Sequence, residues 1–433
     1  MQQNGITTMS EADINSSQPQ GQDPHRVYPR RPRVALYSHD TMGVGHLRRN
    51  LLIAQTLARS ELQATSLMIT GAYETNFFSL PDGVDCLTLP RIYKNPRGDY
   101  AAAKLDISMH ELARIRRESI CAALEQFEPD VLIVDKVPIG ACGEILPALR
   151  SLADRGHTRC VLGLRDILDD STTVRSEWLS RQNIQVIDDF YDAIWIYGDR
   201  RVYNAVQEYH FPQSLSKKSR FTGYLDQTSR VDTGFADTCR GLNGATPSHR
   251  KKVVCAVGGG QDGTKLVETF INAVTPDVDA IVLTGPYLPH PALQAASRAA
   301  AIRKNLQIVD FTPEADVFIA GADRVVAMAG YNTVCSILSF CRPALLVPRI
   351  APRREQWIRA QRLHELRLVD VISPEHLTPK SLARWLRRPV EHFSDARDLV
   401  DLNGLDRIVE WVASLLAGHE NHLEVAPATT MPP

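Results

Sequence analysis

A chain of 433 residues is long enough for two α/β domains and too long for a single hydrophobic core to be the default. Its 44% hydrophobic and 23% charged residues are the proportions of an ordinary globular protein. Lys plus Arg (49) nearly balance Asp plus Glu (50), so whole-chain charge gives no case for nucleic acid as the main partner.

Residues 1–31 are rich in Gln, Ser, Asn and Asp and contain no apolar h-region, so they read as a disordered tail and not as a signal peptide. No apolar run approaches the length of a membrane span, so no transmembrane segment is expected. The expected localisation is cytoplasmic, with room for peripheral membrane contact. Eight cysteines, at 86, 121, 142, 160, 239, 255, 335 and 341, include no C-x-x-C pair. They read as small buried hydrophobes in a reduced compartment, not as disulfides or zinc ligands.

An N-terminal domain is predicted over 32–226. Val34–Ser38 reads as a strand and His46–Arg59 as a helix, with Leu47, Leu51, Ala54 and Leu57 on one face. Further strands are predicted at Ser66–Gly71, Val131–Asp135, Cys160–Asp166 and Ile194–Gly198, with helices over Ser108–Phe127 and Gly143–Ala153. The loop Pro90–Lys104, with several basic residues and two tyrosines, reads as an acceptor contact or as solvated surface. Residues 227–251, rich in Gly, Thr, Ser, Asp and basic side chains, read as an interdomain linker. A second domain follows over 252–417. Its predicted strands are Val253–Val257, Ala280–Gly285, Leu306–Phe311, Arg324–Ala329 and Pro343–Pro348, and a helix over Leu405–Leu416 closes it. Residues 418–433 form a second expected tail. This alternation is the pattern of doubly wound parallel sheets, so the fold class is α/β with two Rossmann-like domains.

In each half the first strand runs into a glycine turn: Gly43-Val44-Gly45-His46 in one, Gly258-Gly259-Gly260-Gln261-Asp262-Gly263 in the other. Glycine lets backbone N–H groups approach an anion, and a following helix start adds partial positive charge. Two such turns predict two domains facing a cleft that holds a phosphate-bearing ligand. Ligands of open α/β sheets bind at the carboxyl ends of the strands. Those ends offer Asp135 with Lys136 and Arg165 with Asp166 in the first half. In the second they offer Phe311-Thr312, Gly330-Tyr331-Asn332-Thr333 and Arg349 through Gln356.

His46 reads as a general base, a substrate contact or a group that orders its turn. Of Arg48 and Arg49, one is free to face an anion and at least one is expected to be a solvated helix charge. Asp135 accepts a hydroxyl proton, orients a sugar or caps the next turn. Arg165 and Asp166 either pair with each other or contact a ligand. The adjacent acids Asp169-Asp170 and Asp188-Asp189 point to opposite sides of the chain, so no metal site is expected.

Together these residues resemble a GT-B glycosyltransferase, close to glycosyltransferase family 28, which includes the peptidoglycan enzyme that adds N-acetylglucosamine to a lipid-linked precursor. The resemblance runs through Gly258–Gly263, Phe311-Thr312-Pro313, Met328–Val334, Pro343–Pro348, Glu355-Gln356 and Arg359–Leu363, with Gly43–His46 as the N-terminal counterpart. It spans most of residues 33–415. It extends to an uncharacterised bacterial branch of predicted glycosyltransferases, which shares Gly163-Leu164-Arg165-Asp166 and Thr222-Gly223-Tyr224.

The resemblance implies a GT-B fold and transfer of a hexosyl or N-acetylhexosaminyl group from a nucleotide-diphosphate sugar, with a UDP-sugar the expected donor. The acceptor, unspecified, is a glycan, a lipid-linked molecule or a small molecule. The reaction would be inverting and metal-independent, with the nucleotide sugar as co-substrate and no cofactor. Phe311-Thr312 would meet the base and Gly330–Thr333 the diphosphate, while Gly259, Gly260, Gln261, Glu355 and Gln356 would face the donor sugar or phosphate. Gly43, Gly45, Arg48, Arg165 and Asp166 would lie on the acceptor side, with His46 or Asp135 deprotonating the acceptor hydroxyl. One departure stands out: where the family has a ribose-gripping carboxylate on the diphosphate helix, this chain has Ser336, which offers one weak hydrogen bond. Another acid such as Glu355 taking the ribose, a reduced donor affinity, a different nucleotide or a non-catalytic binding protein would each account for it. A nucleotide-sugar epimerase or hydrolase of GT-B fold is the other expectation.

Overall fold

The computed structural model describes residues 30–40, 43–94, 100–231, 250–389 and 395–418. The expected tails fall almost wholly outside these residues, as do 232–249 of the expected linker and Cys239. Seven parallel strands form the first sheet, in the spatial order Val84–Thr88, Thr65–Thr70, Arg33–Ser38, Val131–Asp135, Arg159–Arg165, Ala193–Tyr197, Ser219–Phe221. Six parallel strands form the second: Leu306–Val309, Val278–Leu283, Lys251–Ala256, Arg324–Ala327, Ala344–Leu346, Asp370–Val371. In each sheet the third strand of the spatial order comes first along the chain and the chain then reverses direction, which is the doubly wound Rossmann order.

The apolar runs explain the interior strands. Val131, Leu132, Ile133 and Val134 are all fully buried, as parallel strands covered on both faces must be. All ten predicted strands are present, with ends shifted by a few residues. The strands that sequence patterning misses are marginal ones: Val84–Thr88, Ser219–Phe221 and Asp370–Val371 lie at sheet edges, where exposure breaks the apolar run. Within Pro90–Lys104, Ile92–Lys94 and Tyr100–Ala102 pair as a small antiparallel hairpin.

The closing helix, Gly404–Leu416, returns to the first half of the chain. It packs on the Gly45–Arg59 helix, and the Trp411 ring lies 5.6 Å from that of Trp195. Among the described residues no helix is long and apolar enough to cross a membrane. The seven described cysteines are free thiols.

Candidate active site

Each sheet has its topological switch point between the strand that comes first along the chain and the strand that begins the reversed half. In the first sheet these are Arg33–Ser38 and Val131–Asp135, and in the second Lys251–Ala256 and Arg324–Ala327. The two switch points face each other. A Cβ built on Gly259 would lie 4.0 Å from the Gly43 Cα, and the Asn332 side-chain amide donates to the Gly45 carbonyl at 2.9 Å. Between them is a cavity of about 280 Å³. Two helices begin on its wall, Gly45–Arg59 and Tyr331–Ser339, and neither has a side-chain cap. Their first N–H groups are therefore left for a ligand, with the positive helix ends behind them. Gly260 shapes the second turn: its φ is +92°, and a Cβ there would come within 2.7 Å of the Leu288 nitrogen.

On the N-terminal wall, His46 Nδ1 lies 2.9 Å from Asp135 Oδ2. With Nδ1–H donating to that carboxylate, Nε2 keeps a lone pair for a ligand hydroxyl. Asp135 is fully buried. Burial opposes its charge, yet the Arg49 guanidinium and then His46 hold its carboxyl well below the usual range. Arg49 donates to Asp135 Oδ1 at 2.7 Å and lies over the rings of Tyr197 and Tyr331, 5.6 and 5.4 Å from their centroids. So His46 lines the cavity while Asp135 reaches it only through His46. Contrary to expectation, neither Arg48 nor Arg49 is a solvated charge: Arg49 pairs with Asp135 at the end of a strand in its own domain, and Arg48 with Asp316 on a helix of the other domain.

The opposite wall shows what sequence reading missed. Ser336 Oγ donates to Asp316 Oδ1 at 2.5 Å, and Arg48 donates to Asp316 Oδ2 at 2.6 Å. Asp316, on the Ala315–Ala320 helix, is buried and lines the cavity. A carboxylate therefore stands beside Ser336 after all, supplied by a neighbouring helix. Its one sequence signal was an acid inside the apolar stretch Ala315-Asp316-Val317-Phe318-Ile319. Glu355, by contrast, is bound to Arg349 Nη2 at 2.5 Å, and Gln356 Oε1 accepts from the Arg349 backbone at 3.1 Å.

Of the sequence candidates, Gly43, Gly45, His46, Arg48 and Arg165 line the cavity from the first half. Gly259, Phe311, Thr312, Gly330, Tyr331, Asn332, Thr333, Glu355 and Gln356 line it from the second. Gly260 is buried behind the turn, and Gln261 is exposed outside the lining. Asp166 is also outside it. Asp166 does not pair with Arg165 but is gripped by Arg359 through Nε at 2.8 Å and Nη2 at 2.6 Å. Among the described residues no group of three His, Cys, Asp or Glu is arranged to hold a metal ion.

This is the GT-B fold, two Rossmann-like domains facing a central cleft. The sequence profile of the glycosyltransferase family 28 C-terminal domain matches residues 253–395. Three solved structures show the likeness. Acinetobacter baumannii MurG is 14% identical, with 88% of this chain and 99% of that one covered and a TM-score of 0.54. The spinosyn forosaminyltransferase SpnP is 14% identical, with 89% and 99% covered and a TM-score of 0.59. The UDP-GlcNAc 2-epimerase of Neisseria meningitidis, bound to UDP-GlcNAc, is 12% identical, with 90% and 100% covered and a TM-score of 0.58. At these identities the likeness carries the fold alone. No curated protein matches the chain by sequence.

Proposed function

We propose that the chain transfers a hexosyl or N-acetylhexosaminyl group from a nucleotide-diphosphate sugar, a UDP-sugar first among them, to an acceptor hydroxyl. The reading rests on one observation. Two glycine turns and two uncapped helix starts share a cavity, with His46 and its buried Asp135 on one wall and Asp316 on the other. In this reading the diphosphate rests on the N–H groups at the start of the Tyr331–Ser339 helix, and the base meets Phe311-Thr312. Asp316 accepts the ribose hydroxyls in place of the carboxylate that Ser336 lacks, because a carboxylate held by two donors still has lone pairs to offer. The acceptor hydroxyl gives its proton to His46 Nε2 as its oxygen bonds to the anomeric carbon. The bond from that carbon to the diphosphate oxygen breaks with inversion, and the electron pair leaves with the diphosphate toward the helix start. Asp135 acts through His46 by orienting the ring and stabilising the imidazolium, so it is a positioning residue.

A thermal-shift screen against UDP, GDP, dTDP, ADP and their sugars tests the donor half. A ligand at a hundred times its dissociation constant adds about 2.7 kcal/mol of stability, a readily visible shift. A Cβ on Gly330 would meet nothing within 4 Å, so Gly330→Phe is expected to fold and to fill the cavity, abolishing the shift. A wild-type chain that shifts with no nucleotide overturns the proposal.

Asp316→Asn is expected to weaken nucleotide-sugar binding about tenfold, because an amide replaces a charge-assisted acceptor. Calorimetric titration reads this directly. An unchanged affinity would return the ribose to Glu355.

A second reading is compatible with the same fold. The fold matches the Neisseria UDP-GlcNAc 2-epimerase at a TM-score of 0.58, level with the transferase SpnP at 0.59. Incubation of UDP-GlcNAc in heavy water without acceptor separates the two. Deuterium appearing at the sugar C2 would identify an epimerase, and its absence alongside acceptor-dependent UDP release a transferase.

A further inference from the structure

We propose that Lys136 and Arg165 form an acceptor subsite for an anionic group, a carboxylate or a phosphate ester, carried by the molecule that offers its hydroxyl to His46. The inference rests on the transferase reading and gives its acceptor a chemical class.

The two cations stand at the carboxyl ends of neighbouring strands. Asp135 pairs in register with Gly163, so Lys136 is one residue beyond that pair and Arg165 two. Lys136 follows directly on the residue that holds His46. Its φ is +69°, a left-handed conformation that side-chain-bearing residues rarely adopt. The backbone is tied in that shape from both sides: its N–H donates to the Gly163 carbonyl at 2.8 Å, and Trp178 Nε1 donates to its carbonyl at 3.0 Å. Backbone held in such a conformation by its surroundings is a feature of functional sites.

The surrounding carboxylates are already committed. Arg49 takes Asp135, Arg359 takes Asp166, Arg353 takes Asp169 at 3.0 Å, and Arg349 takes Glu355. Asp262 and Glu177 also touch Arg349 and Arg353, but both are exposed and screened by solvent. Lys136 has no ion pair or side-chain hydrogen bond among the described residues. Arg165 has a bond to the Leu168 carbonyl at 3.2 Å and a distant share of Glu355 at 3.9 Å, and its buried Nε has no partner. Lys136 has no ion pair among the described residues and Arg165 shares Glu355 with the closer Arg349, so the positive charge of this half-buried site is incompletely offset, which is costly unless something anionic visits it.

The charge state of Lys136 agrees with this. Burial first, then Arg165 and Arg353, push its amine down to about 7, against the opposing pull of Glu355 and Asp135. His39, on the loop after the first strand, is a further titratable neighbour; burial, then His46 and then Lys136 push its imidazole well below its ordinary range. An anion bound beside Lys136 would favour the ammonium, so carboxylate binding should weaken as pH rises through and above 7.

The test uses the whole protein saturated with UDP, which keeps anions out of the diphosphate cradle. Methyl phosphate and glucuronate are titrated as probes, with methyl glucoside as the neutral control. Saturable binding of at least one anion and none of the glucoside is expected, and the preferred probe tells phosphate from carboxylate. Lys136→Met should weaken that binding about tenfold or more, the loss of one charge-assisted contact. Lys136→Arg should restore it and remove its decline with pH, while UDP affinity stays within about twofold in both variants. Unchanged anion binding in Lys136→Met overturns the subsite, as does no anion binding by a wild-type chain that still binds UDP; either result leaves the transferase reading standing. A wild-type chain that binds no nucleotide overturns that reading and the subsite with it.

Discussion

Replacing His46 by Ala is expected to lower turnover about a thousandfold while leaving nucleotide-sugar affinity within about twofold, the range seen when a positioned general base is lost. The split follows from the geometry. His46 lines the cavity from the acceptor wall, its Nδ1 is occupied by Asp135 at 2.9 Å, and no donor-wall side chain bonds to it. In the proposed transferase reaction, removing the imidazole therefore deletes an interaction that matters as the hydroxyl loses its proton, and leaves the wall at the start of the Tyr331–Ser339 helix intact. Initial rates of nucleotide release at saturating donor measure it, and added imidazole should restore part of the rate to His46→Ala. A loss confined to KM would assign His46 to substrate binding instead. Asp135→Asn is a less clean probe, because it also strips Arg49 of its buried counter-ion.

How much of this was legible in the sequence depended on sequence distance and burial. Val131–Val134 and Val253–Val257 announced themselves because a strand covered on both faces must be apolar throughout. Asp370–Val371, two half-buried residues at a sheet edge, carry no such pattern. The glycine turns were legible because close backbone approach restricts residue type locally. Asp316 was not: its role depends on Ser336, twenty positions later, and on Arg48 from the other domain. Arg48 and Arg49 looked like ordinary helix charges because nothing nearby in sequence reveals Asp316 or Asp135 as their partners. Patterning reports what a residue needs from its own element, and the chemistry of this cleft is assembled between elements.

The contact between Arg359 and Asp166 is the extreme case, with the partners 193 positions apart and both side chains essentially fully buried. Arg359 also donates to the Ala329 carbonyl at 2.8 Å, and the Tyr224 hydroxyl donates to Asp166 Oδ2 at 3.1 Å. The pair thus ties the end of a strand in the first sheet to the Glu355–Glu365 helix and to the turn ahead of Tyr331. Burying two charges costs much of what their attraction returns, so the pair's net worth is small, but removing one partner strands the other. Arg359→Met is therefore expected to destabilise the protein by about 3–5 kcal/mol. The double variant with Asp166→Leu should recover a large part of that loss, since no isolated charge remains. Chemical denaturation of the wild type, both single variants and the double variant closes the cycle. If Arg359→Met costs under about 1 kcal/mol, the ion pair behaves as a solvated one and the cleft opens readily in solution. If the full cost appears, the two domains are held at this contact, and the cavity between them is preformed before any ligand arrives.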